Sequence, residues 1–267
     1  MMKKAAASKW KPNKHLRAVL FDLEGVLVDH VSSQIRLCKQ ALTKAGLRVH
    51  VNMRVIYPLR SYPFMHQDVP FFQAVLALDK IGASWALRAN PKELQQMVQK
   101  QTQHLSVNQL QQVEQVVAFY HAARRNPHQL SKHIKSIPGT AKLLKQLKKN
   151  KFRIGLITNA NPEMARYLLK REGIAKYFDA IVTKGEARYG KPHPQGVKLL
   201  LRKLDTAPDQ AILIEDSLAG IQAGKRAKLQ ATIGVLTGLA PRRMFQTAKE
   251  KPDVILNRAE ELLPLLA

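Results

Sequence analysis

The segment RAVLFDLEGVLVD, residues 17–29, joins a short apolar run to two acidic residues and a glycine. The apolar run stops at Gly25, and this pattern predicts a buried strand followed by a turn. Asp22 and Glu24 leave the predicted strand two residues apart, so their carboxylates converge on one small volume. In such a pair one carboxylate can attack a substrate while the other transfers a proton. Acidic residues are also common at strand ends without such a role.

Apolar runs and helical patterns alternate from residue 137 onward. This alternation predicts a parallel sheet with helices on both faces, which the strand near residue 20 joins. The further predicted strands cover residues 152–158, 178–183, 210–216, 231–236 and 253–256. The block 31–136 shows only helical spacing of apolar residues, so we interpret it as an insertion into the α/β domain. Ligands of such sheets bind beyond the carboxyl ends of the strands, where the polar motifs of this chain fall.

Three further motifs follow predicted strands or lie in the loops after them. Thr158 precedes a helix that Asn161 can cap, and a helix N-terminus suits a phosphate, although a plain cap is the simpler interpretation. Lys191 lies in a loop with two prolines and can hold a point charge in place. Because the chain has 44 Lys and Arg, a solvated loop lysine is a strong alternative interpretation. Glu215 and Asp216 end an apolar strand. Their oxygens suit Mg²⁺, or they provide helpful negative charge at a helix N-terminus.

These motifs together resemble those of the haloacid dehalogenase-like (HAD-like) hydrolase superfamily, in its helical-capped, phosphoglycolate phosphatase-like branch. FDLEGVLVD is similar to the first motif of that superfamily, LITNAN to the second, Lys191 of GKPHP to the third and IEDSLAGIQAG to the fourth. The resemblance covers nearly the whole chain from residue 16 and implies an α/β fold with a doubly wound, Rossmannoid parallel sheet. The predicted domains are a basic N-terminal tail at 1–15, a catalytic core at 16–30 and 137–267, and an inserted helical cap at 31–136.

The resemblance also implies a function, namely a Mg²⁺-dependent phosphomonoesterase that hydrolyses a small phosphorylated metabolite. Asp22 would be the nucleophile that forms an aspartyl-phosphate, and Glu24 would transfer protons. Thr158, Lys191 and the backbone N–H of Asn159 would bind the transferring phosphoryl group. A phosphomonoester dianion repels a carboxylate nucleophile, so cations must offset that repulsion.

Mg²⁺ is the implied cofactor, and the resemblance assigns its ligands. Asp22, the backbone carbonyl of Glu24, and Asp216 would hold the ion, with Glu215 close by or linked through water. Glu24 departs from the Asp that the phosphatases of this superfamily usually have. The extra methylene adds roughly 1.5 Å of reach. Because proton transfer needs heavy atoms within about 3 Å, wrong geometry here would lower activity by up to about 10²–10⁴-fold.

Substrate-binding residues are expected in two places. Asn159 and Gly25 belong to the strand-end motifs. Arg54 and Arg60 lie in the Pro- and aromatic-rich segment 54–66 of the cap and can meet an anionic substrate. The alternative is that both arginines are ordinary exposed residues with no such role.

The net charge of +25, from 44 Lys and Arg against 19 Asp and Glu, favours anionic partners. The single cysteine, Cys38, excludes an internal disulfide and fits a reducing compartment. No apolar run approaches the roughly 18 residues of a membrane span. The basic N-terminus also lacks the apolar stretch of a signal peptide. These features predict a cytoplasmic protein without membrane contact, and they leave the oligomeric state open.

Two other functions remain open at this level. One is a phosphosugar mutase on the same scaffold, which product analysis with a sugar phosphate would distinguish from a phosphatase. The other is a catalytically weak protein of this fold that acts as a basic nucleic-acid-binding protein, which Glu24 and the positive charge suggest. Against it, the basic segments lack interleaved aromatic residues and known nucleic-acid-binding motifs. The sequence therefore favours a small phosphorylated substrate over a nucleic-acid partner.

Overall fold

A computed structural model describes residues 10–61, 68–81, 91–125 and 134–266. Residues 1–9 of the predicted tail and three stretches of the predicted cap, 62–67, 82–90 and 126–133, lie outside the described residues. The chain divides into two compact units. We call them the core unit, Met1–Asp29 with Lys135–Ala267, and the helical unit, His30–Ile134. The cap role of the helical unit stays a prediction.

The described residues of the helical unit form helices and a short 3-10 turn, Tyr57–Ser61. The helices in this described part are α1 (Val31–Lys44), α2 (Met53–Ile56), α3 (Asp68–Ile81), α4 (Pro91–Thr102) and α5 (Val107–Arg125). Helix α5 packs against α1 and α3, and α3 also packs against α4. Aromatic rings fill part of this interior, where Phe72 meets Phe71 and Tyr120 edge-on at centroid distances of 5.3 and 5.5 Å. Such edge-to-face pairs add stability beyond the area that they bury.

A six-stranded parallel sheet forms the centre of the core unit, in the order β3-β2-β1-β4-β5-β6. The strands are β1 (Ala18–Phe21), β2 (Arg153–Ile157), β3 (Ala180–Val182), β4 (Ala211–Glu215), β5 (Ala231–Val235) and β6 (Val254–Leu256). The chain moves outward from β1 to β3, returns to β4 and then runs the other way. This order confirms the predicted α/β fold with a doubly wound sheet, and it places the switch in strand order between β1 and β4.

Helices flank the sheet in the core unit. They are α6 (Thr140–Lys149), α7 (Pro162–Arg171), α8 (Gln195–Lys203), α9 (Leu218–Arg226) and α10 (Arg242–Thr247). Helix α8 packs on β2 and β3, and α9 packs on β4 and β5. Between them and the sheet lies a buried apolar cluster that includes Leu20, Leu200 and Leu213. No helix in the described part of the chain has the length and apolar content that crossing a membrane requires.

The core chain leaves for the helical unit and returns from it through two adjacent segments. Val28 and Ser136 form an antiparallel bridge. The backbone N–H of Asp29 donates to the carbonyl of Lys135 at 2.8 Å, and the N–H of Ile137 donates to the carbonyl of Leu27 at 2.9 Å. The exit and return segments are therefore fixed to each other within the core unit.

Glu172, at the end of α7, holds the return segment. Its Oε2 accepts hydrogen bonds from the backbone N–H of Ser136 at 2.9 Å and from the Ser136 hydroxyl at 2.6 Å. Its Oε1 accepts from Arg171 at 2.6 Å. Burial by itself would raise the pKa of Glu172, but these hydrogen bonds outweigh it and hold the pKa below its ordinary value.

We expect Glu172→Gln to lower the free energy of unfolding at pH 7 by about 0.5–1.5 kcal/mol. A carboxyl with a lowered folded-state pKa contributes stability above its unfolded-state pKa of about 4.3, and this contribution disappears as pH falls through the folded-state pKa. The difference between the two proteins should therefore shrink in acid. Urea unfolding between about pH 3.5 and 7 measures it. The control is Glu114→Gln, the same change at an exposed residue, which should alter the free energy of unfolding by no more than about 0.5 kcal/mol. A pH-independent difference would contradict the assignment.

Candidate active site

The carboxyl ends of the three central strands meet at one edge of the sheet, which we call the carboxyl edge. Asp22 follows β1, Thr158 follows β2, and Glu215 and Asp216 end β4. The backbone of Asp22 donates to the carbonyl of Ile214 at 3.0 Å, so β1 and β4 stay paired up to this point. The four predicted side chains are all buried, and the Asp22 residue is only 5% exposed. The sequence motifs thus come together in space.

Lys191 reaches this edge from the loop that precedes α8. Its Nζ donates to Asp22 Oδ1 at 2.6 Å and also to Glu215 Oε1. The lysine side chain is only 7% exposed. Burial alone would lower its pKa, but the charges of Asp22 and Glu215 outweigh burial and raise it above the ordinary value. Lys191 is therefore a fixed cation between two carboxylates.

Glu215 is fully buried, and each of its oxygens has a partner. While Oε1 accepts from Lys191, Oε2 accepts from the backbone N–H groups of Asp216 at 3.0 Å and Ser217 at 3.1 Å, and from the Ser217 hydroxyl at 2.8 Å. Gly220 in the first turn of α9 leaves room for this carboxylate, because a Cβ there would lie 1.8 Å from Glu215 Cδ. Glu215 is thus a positioning residue for Lys191.

Asp216 is held by the loop that follows β5. Its Oδ2 accepts from the backbone N–H of Leu239 at 2.9 Å. A Cβ at Gly25 or Gly238 would lie 2.3 or 1.9 Å from that same oxygen, so both positions require glycine. Gly25 also has a φ of +78°, which glycine adopts without strain. The Thr237 hydroxyl completes the arrangement by donating to the Gly25 carbonyl at 2.5 Å.

Thr237, Gly238 and Leu239 were missed by residue-level reasoning from the sequence. They follow β5, whose carboxyl end lies at the same edge as the ends of β1 and β4. A threonine and a glycine directly after a predicted strand were the available signal. That signal is weak by itself, because such residues are also common in ordinary turns.

The carboxylate groups of Asp22, Glu215 and Asp216 each offer an oxygen, and these oxygens lie within 4.8 Å of one another. Burial and the charges of Glu215 and Glu24 raise the pKa of Asp22 to about 7, against the lowering effect of Lys191. Burial and the charges of Glu215 and Asp22 raise the pKa of Asp216 well above its ordinary value. When all three carboxylates are ionised, one lysine leaves two negative charges unbalanced. A hard divalent cation fits this all-oxygen donor set and its charge.

The remaining predicted residues at the strand ends occupy different settings. Glu24 is half-buried and its backbone pairs with Val28, but its carboxylate is not part of the cluster of three. The Thr158 hydroxyl accepts from the backbone N–H of Ala160 at 3.1 Å. Asn159 is exposed, and its Oδ1 accepts from the backbone N–H of Lys191 at 3.4 Å. The catalytic and binding roles of these residues stay predictions.

Arg54 and Arg60 belong to the helical unit. Arg54 lies in α2, and its side chain is outside what the structure describes. The guanidinium of Arg60 donates to Asp68 at 2.5 Å and lies 4.6 Å from the ring centroid of Phe71. These contacts give Arg60 a packing role inside its own unit, while its predicted role toward substrate stays a prediction.

Two named relatives are similar to the chain over about half its length. A phosphorylated carbohydrates phosphatase of Thermotoga maritima is 31% identical over 137 residues, which cover 50% of this chain and 63% of that protein. A pyrophosphatase, PpaX, of Bacillus anthracis is 28% identical over 156 residues, which cover 58% of this chain and 69% of that protein. The chain thus spans less than two thirds of the length of the first of these relatives.

Solved structures share the fold at lower sequence identity. A putative phosphoglycolate phosphatase from Lactobacillus delbrueckii subsp. bulgaricus superposes with a TM-score of 0.67 and 19% identity, covering 94% of this chain and 98% of that one. A putative β-phosphoglucomutase from Thermotoga maritima superposes with a TM-score of 0.59 and 20% identity, covering 94% of this chain and 98% of that one. At these identities the likeness establishes the architecture and not the reaction.

The model of the family described as haloacid dehalogenase-like hydrolase matches residues 16–228. That range is most of the chain and contains Asp22, Thr158, Lys191 and Asp216, so the four motifs identified in the sequence lie within the matched part. The family match, the parallel sheet and the clustered motifs agree. This chain belongs to the haloacid dehalogenase-like hydrolase family.

Proposed function

We propose that this protein is a Mg²⁺-dependent phosphomonoesterase that hydrolyses a small phosphorylated metabolite through an aspartyl-phosphate on Asp22. The observation that carries the proposal is the buried Asp22 carboxylate, which belongs to a cluster of three acidic groups. Its Oδ1 accepts a hydrogen bond from Lys191 Nζ at 2.6 Å. Both named relatives are phosphate-releasing enzymes by name, which supports the reaction class.

Asp22 is the nucleophile in this mechanism. Its carboxylate oxygen attacks phosphorus, and the bond from phosphorus to the ester oxygen breaks. Glu24 gives its proton to that leaving oxygen. Glu24 then takes a proton from water, and the water oxygen attacks phosphorus. The bond between Asp22 and phosphorus breaks, which releases inorganic phosphate and restores both carboxyl groups to their starting states.

Lys191 supplies fixed positive charge for both steps. A phosphomonoester carries two negative charges, and Asp22 carries a third, so attack brings like charges together. Because Lys191 is buried, its charge acts in a medium where electrostatic interactions are stronger than in water. Thr158 and the backbone N–H of Asn159 donate to the remaining phosphoryl oxygens. Glu215 keeps the lysine in place without touching the substrate.

The metal site of the proposal uses Asp22, Asp216 and the backbone carbonyl of Glu24, with Glu215 beside them. Three buried carboxylates against one lysine support this assignment, because the donors are oxygens and carry excess negative charge. When bound, Mg²⁺ supplies positive charge that stabilises the phosphoryl group during transfer. Leu239 orients Asp216 by donating to its Oδ2.

Hydrolysis of p-nitrophenyl phosphate in the presence of Mg²⁺ tests the reaction. We expect wild-type turnover and a loss of at least about 10³-fold in Asp22→Asn, because an amide does not form the phosphoenzyme. Asp209→Asn makes the same chemical change at an exposed residue of the core unit and should keep wild-type activity. Full activity in Asp22→Asn, or no wild-type hydrolysis of any phosphate ester, would sink the proposal.

A separate assay with a sugar phosphate distinguishes the two candidate reactions. Release of free phosphate indicates a phosphatase, whereas an isomerised sugar phosphate indicates a mutase.

Thermal unfolding with MgCl₂ tests the metal site without measuring activity. A ligand that binds only the folded state adds about 2.7 kcal/mol of stability when its concentration is about 100 times Kd. We therefore expect Mg²⁺ to raise the melting temperature of the wild-type protein and of Asp209→Asn. In Asp216→Asn the shift should be much smaller, since one ligand carboxylate is lost. Equal shifts in all three proteins would place the Mg²⁺ elsewhere.

The proton-transfer role of Glu24 predicts a dependence on the leaving group. An alkyl phosphate leaves poorly unless its oxygen is protonated, whereas p-nitrophenolate leaves well without a proton. We expect Glu24→Gln to lower kcat by about 10²–10⁴-fold for an alkyl phosphate and by clearly less for p-nitrophenyl phosphate. Steady-state kinetics with both substrates give the comparison. The same loss for both would assign Glu24 a structural role instead.

A further inference from the structure

The amino ends of the strands lie at the edge of the sheet opposite the carboxyl edge, and we call it the amino edge. In a parallel α/β unit the last turn of each crossover helix lies at the edge where the next strand begins. Four such helices end on basic residues. These residues are Lys148 and Lys149 in α6, Lys170 and Arg171 in α7, Arg202 and Lys203 in α8, and Lys225 and Arg226 in α9.

Contacts fix three of these helix ends to the amino edge. Lys148 of α6 donates to Asp179, which precedes β3, at 2.7 Å. Lys225 of α9 donates at 2.5 Å to Asp253, which precedes β6. Arg153, the first residue of β2, donates at 2.5 Å to the backbone carbonyl of Asp205, just after α8. These three helix ends therefore lie at the same edge as the starts of the strands.

Part of this positive charge has no acidic partner. Arg17, Lys149, Lys151 and Arg202 are all exposed, and none of them forms an ion pair with an acid in the part of the chain that the structure describes. We call these four residues the amino-edge basic surface. Arg17 and Arg153 are neighbours across β1 and β2, where the N–H of Arg153 donates to the carbonyl of Arg17 at 2.9 Å. Lys151 precedes Arg153 by two residues, and Arg153 also donates to the carbonyl of Asp205, three residues after Arg202.

The excess of cations over acids at this edge attracts a polyanion. We propose that the amino-edge basic surface binds the phosphate backbone of a nucleic acid, independently of base sequence. A duplex carries one negative charge per roughly 1.7 Å of its axis, so several lysine and arginine side chains can contact phosphates at once. Arg17 and Lys151 lie just before the neighbouring strands β1 and β2, and neighbouring strands are about 4.8 Å apart. Cations near a helix C-terminus also interact favourably with the helix dipole. That interaction does not account for Arg17 and Lys151, which lie outside the helices.

The positions of exposed apolar side chains favour a nucleic acid over an anionic bilayer as the partner of the amino-edge basic surface. A protein that binds a membrane surface usually adds exposed aromatic or aliphatic side chains to its basic residues. The large apolar side chains that the structure describes as exposed are Val69, Val107, Leu110, Phe119 and Tyr189. The first four lie in the helical unit, and Tyr189 lies in the loop that carries Lys191. Since none of them is at the amino edge, charge alone is available there, which suits phosphate contacts without base stacking.

Binding at the amino edge leaves the carboxyl edge free. The central strands are four or five residues long, so about 15 Å of sheet separates the two edges. A nucleic acid held by Arg17, Lys149, Lys151 and Arg202 would not occupy Asp22 or Lys191. The proposal is therefore independent of the phosphatase function, and the two can fail separately.

The test measures binding of the full-length protein to a labelled DNA duplex of about 20 base pairs over a range of NaCl concentrations. The triple variant Lys149→Gln/Lys151→Gln/Arg202→Gln should reduce the slope of log Kobs against log salt by about 2.7, since each phosphate contact contributes about 0.9. Its affinity should fall by about 10²–10³-fold at about 0.1 M salt. Lys149→Gln alone should reduce the slope by about 0.9. A second duplex of unrelated sequence should bind with the same affinity.

The matched control is Lys39→Gln/Lys92→Gln/Lys100→Gln, which removes three exposed lysines of the helical unit and the same net charge. It should keep the wild-type slope and affinity. Equal weakening in both triple variants would overturn the proposal in favour of diffuse attraction by the whole chain. Absence of salt-dependent wild-type binding would also overturn it, as would tighter binding to phosphatidylserine vesicles than to the duplex at the same salt. Unchanged hydrolysis of p-nitrophenyl phosphate by the amino-edge triple variant would show that its active site is intact.

Discussion

Repulsion among the buried carboxylates of Asp22, Glu215 and Asp216 is the constraint on which the carboxyl edge depends. Each group is buried, and like charges at this distance disfavour ionisation. Lys191 is the buried cation that lies between two of them. Backbone N–H groups at the start of α9 donate to Glu215 Oε2, and that of Leu239 in the loop after β5 donates to Asp216 Oδ2. The glycines that would clash with Glu215 and Asp216 if they carried a Cβ belong to the same arrangement.

Sheet topology is what allows such a cluster to exist. Because β1 lies between β2 and β4, residues from distant parts of the sequence end side by side at one edge. Lys191 reaches the same edge from the loop that precedes α8. The opposite edge collects the basic ends of the helices. One unit therefore carries separated charges, with acids buried at one edge and cations exposed at the other.

The strands and the four motifs could be predicted from the sequence because both are local signals. A buried parallel strand is a continuous apolar run, and the motif residues follow directly after such runs. Contacts between distant residues could not be predicted in this way. The bond from Leu239 to Asp216 joins loops after different strands, and that from Ser136 to Glu172 joins a return segment to a helix end. Arg60 likewise shows no sign in its own sequence context of its contact with Phe71.

The paired exit and return segments give the chain a modular character. Asp29 and Lys135 are hydrogen-bonded neighbours within the core unit, so the two chain ends between which the insertion lies are close together. Any inserted segment whose first and last residues lie about 5 Å apart can join the exit and return segments of the core in the same way. The insert can thus change in length and sequence without altering the order or register of the sheet. Exchange of the entire inserted segment between proteins of this architecture is accordingly possible without any new strand pairing in the core sheet.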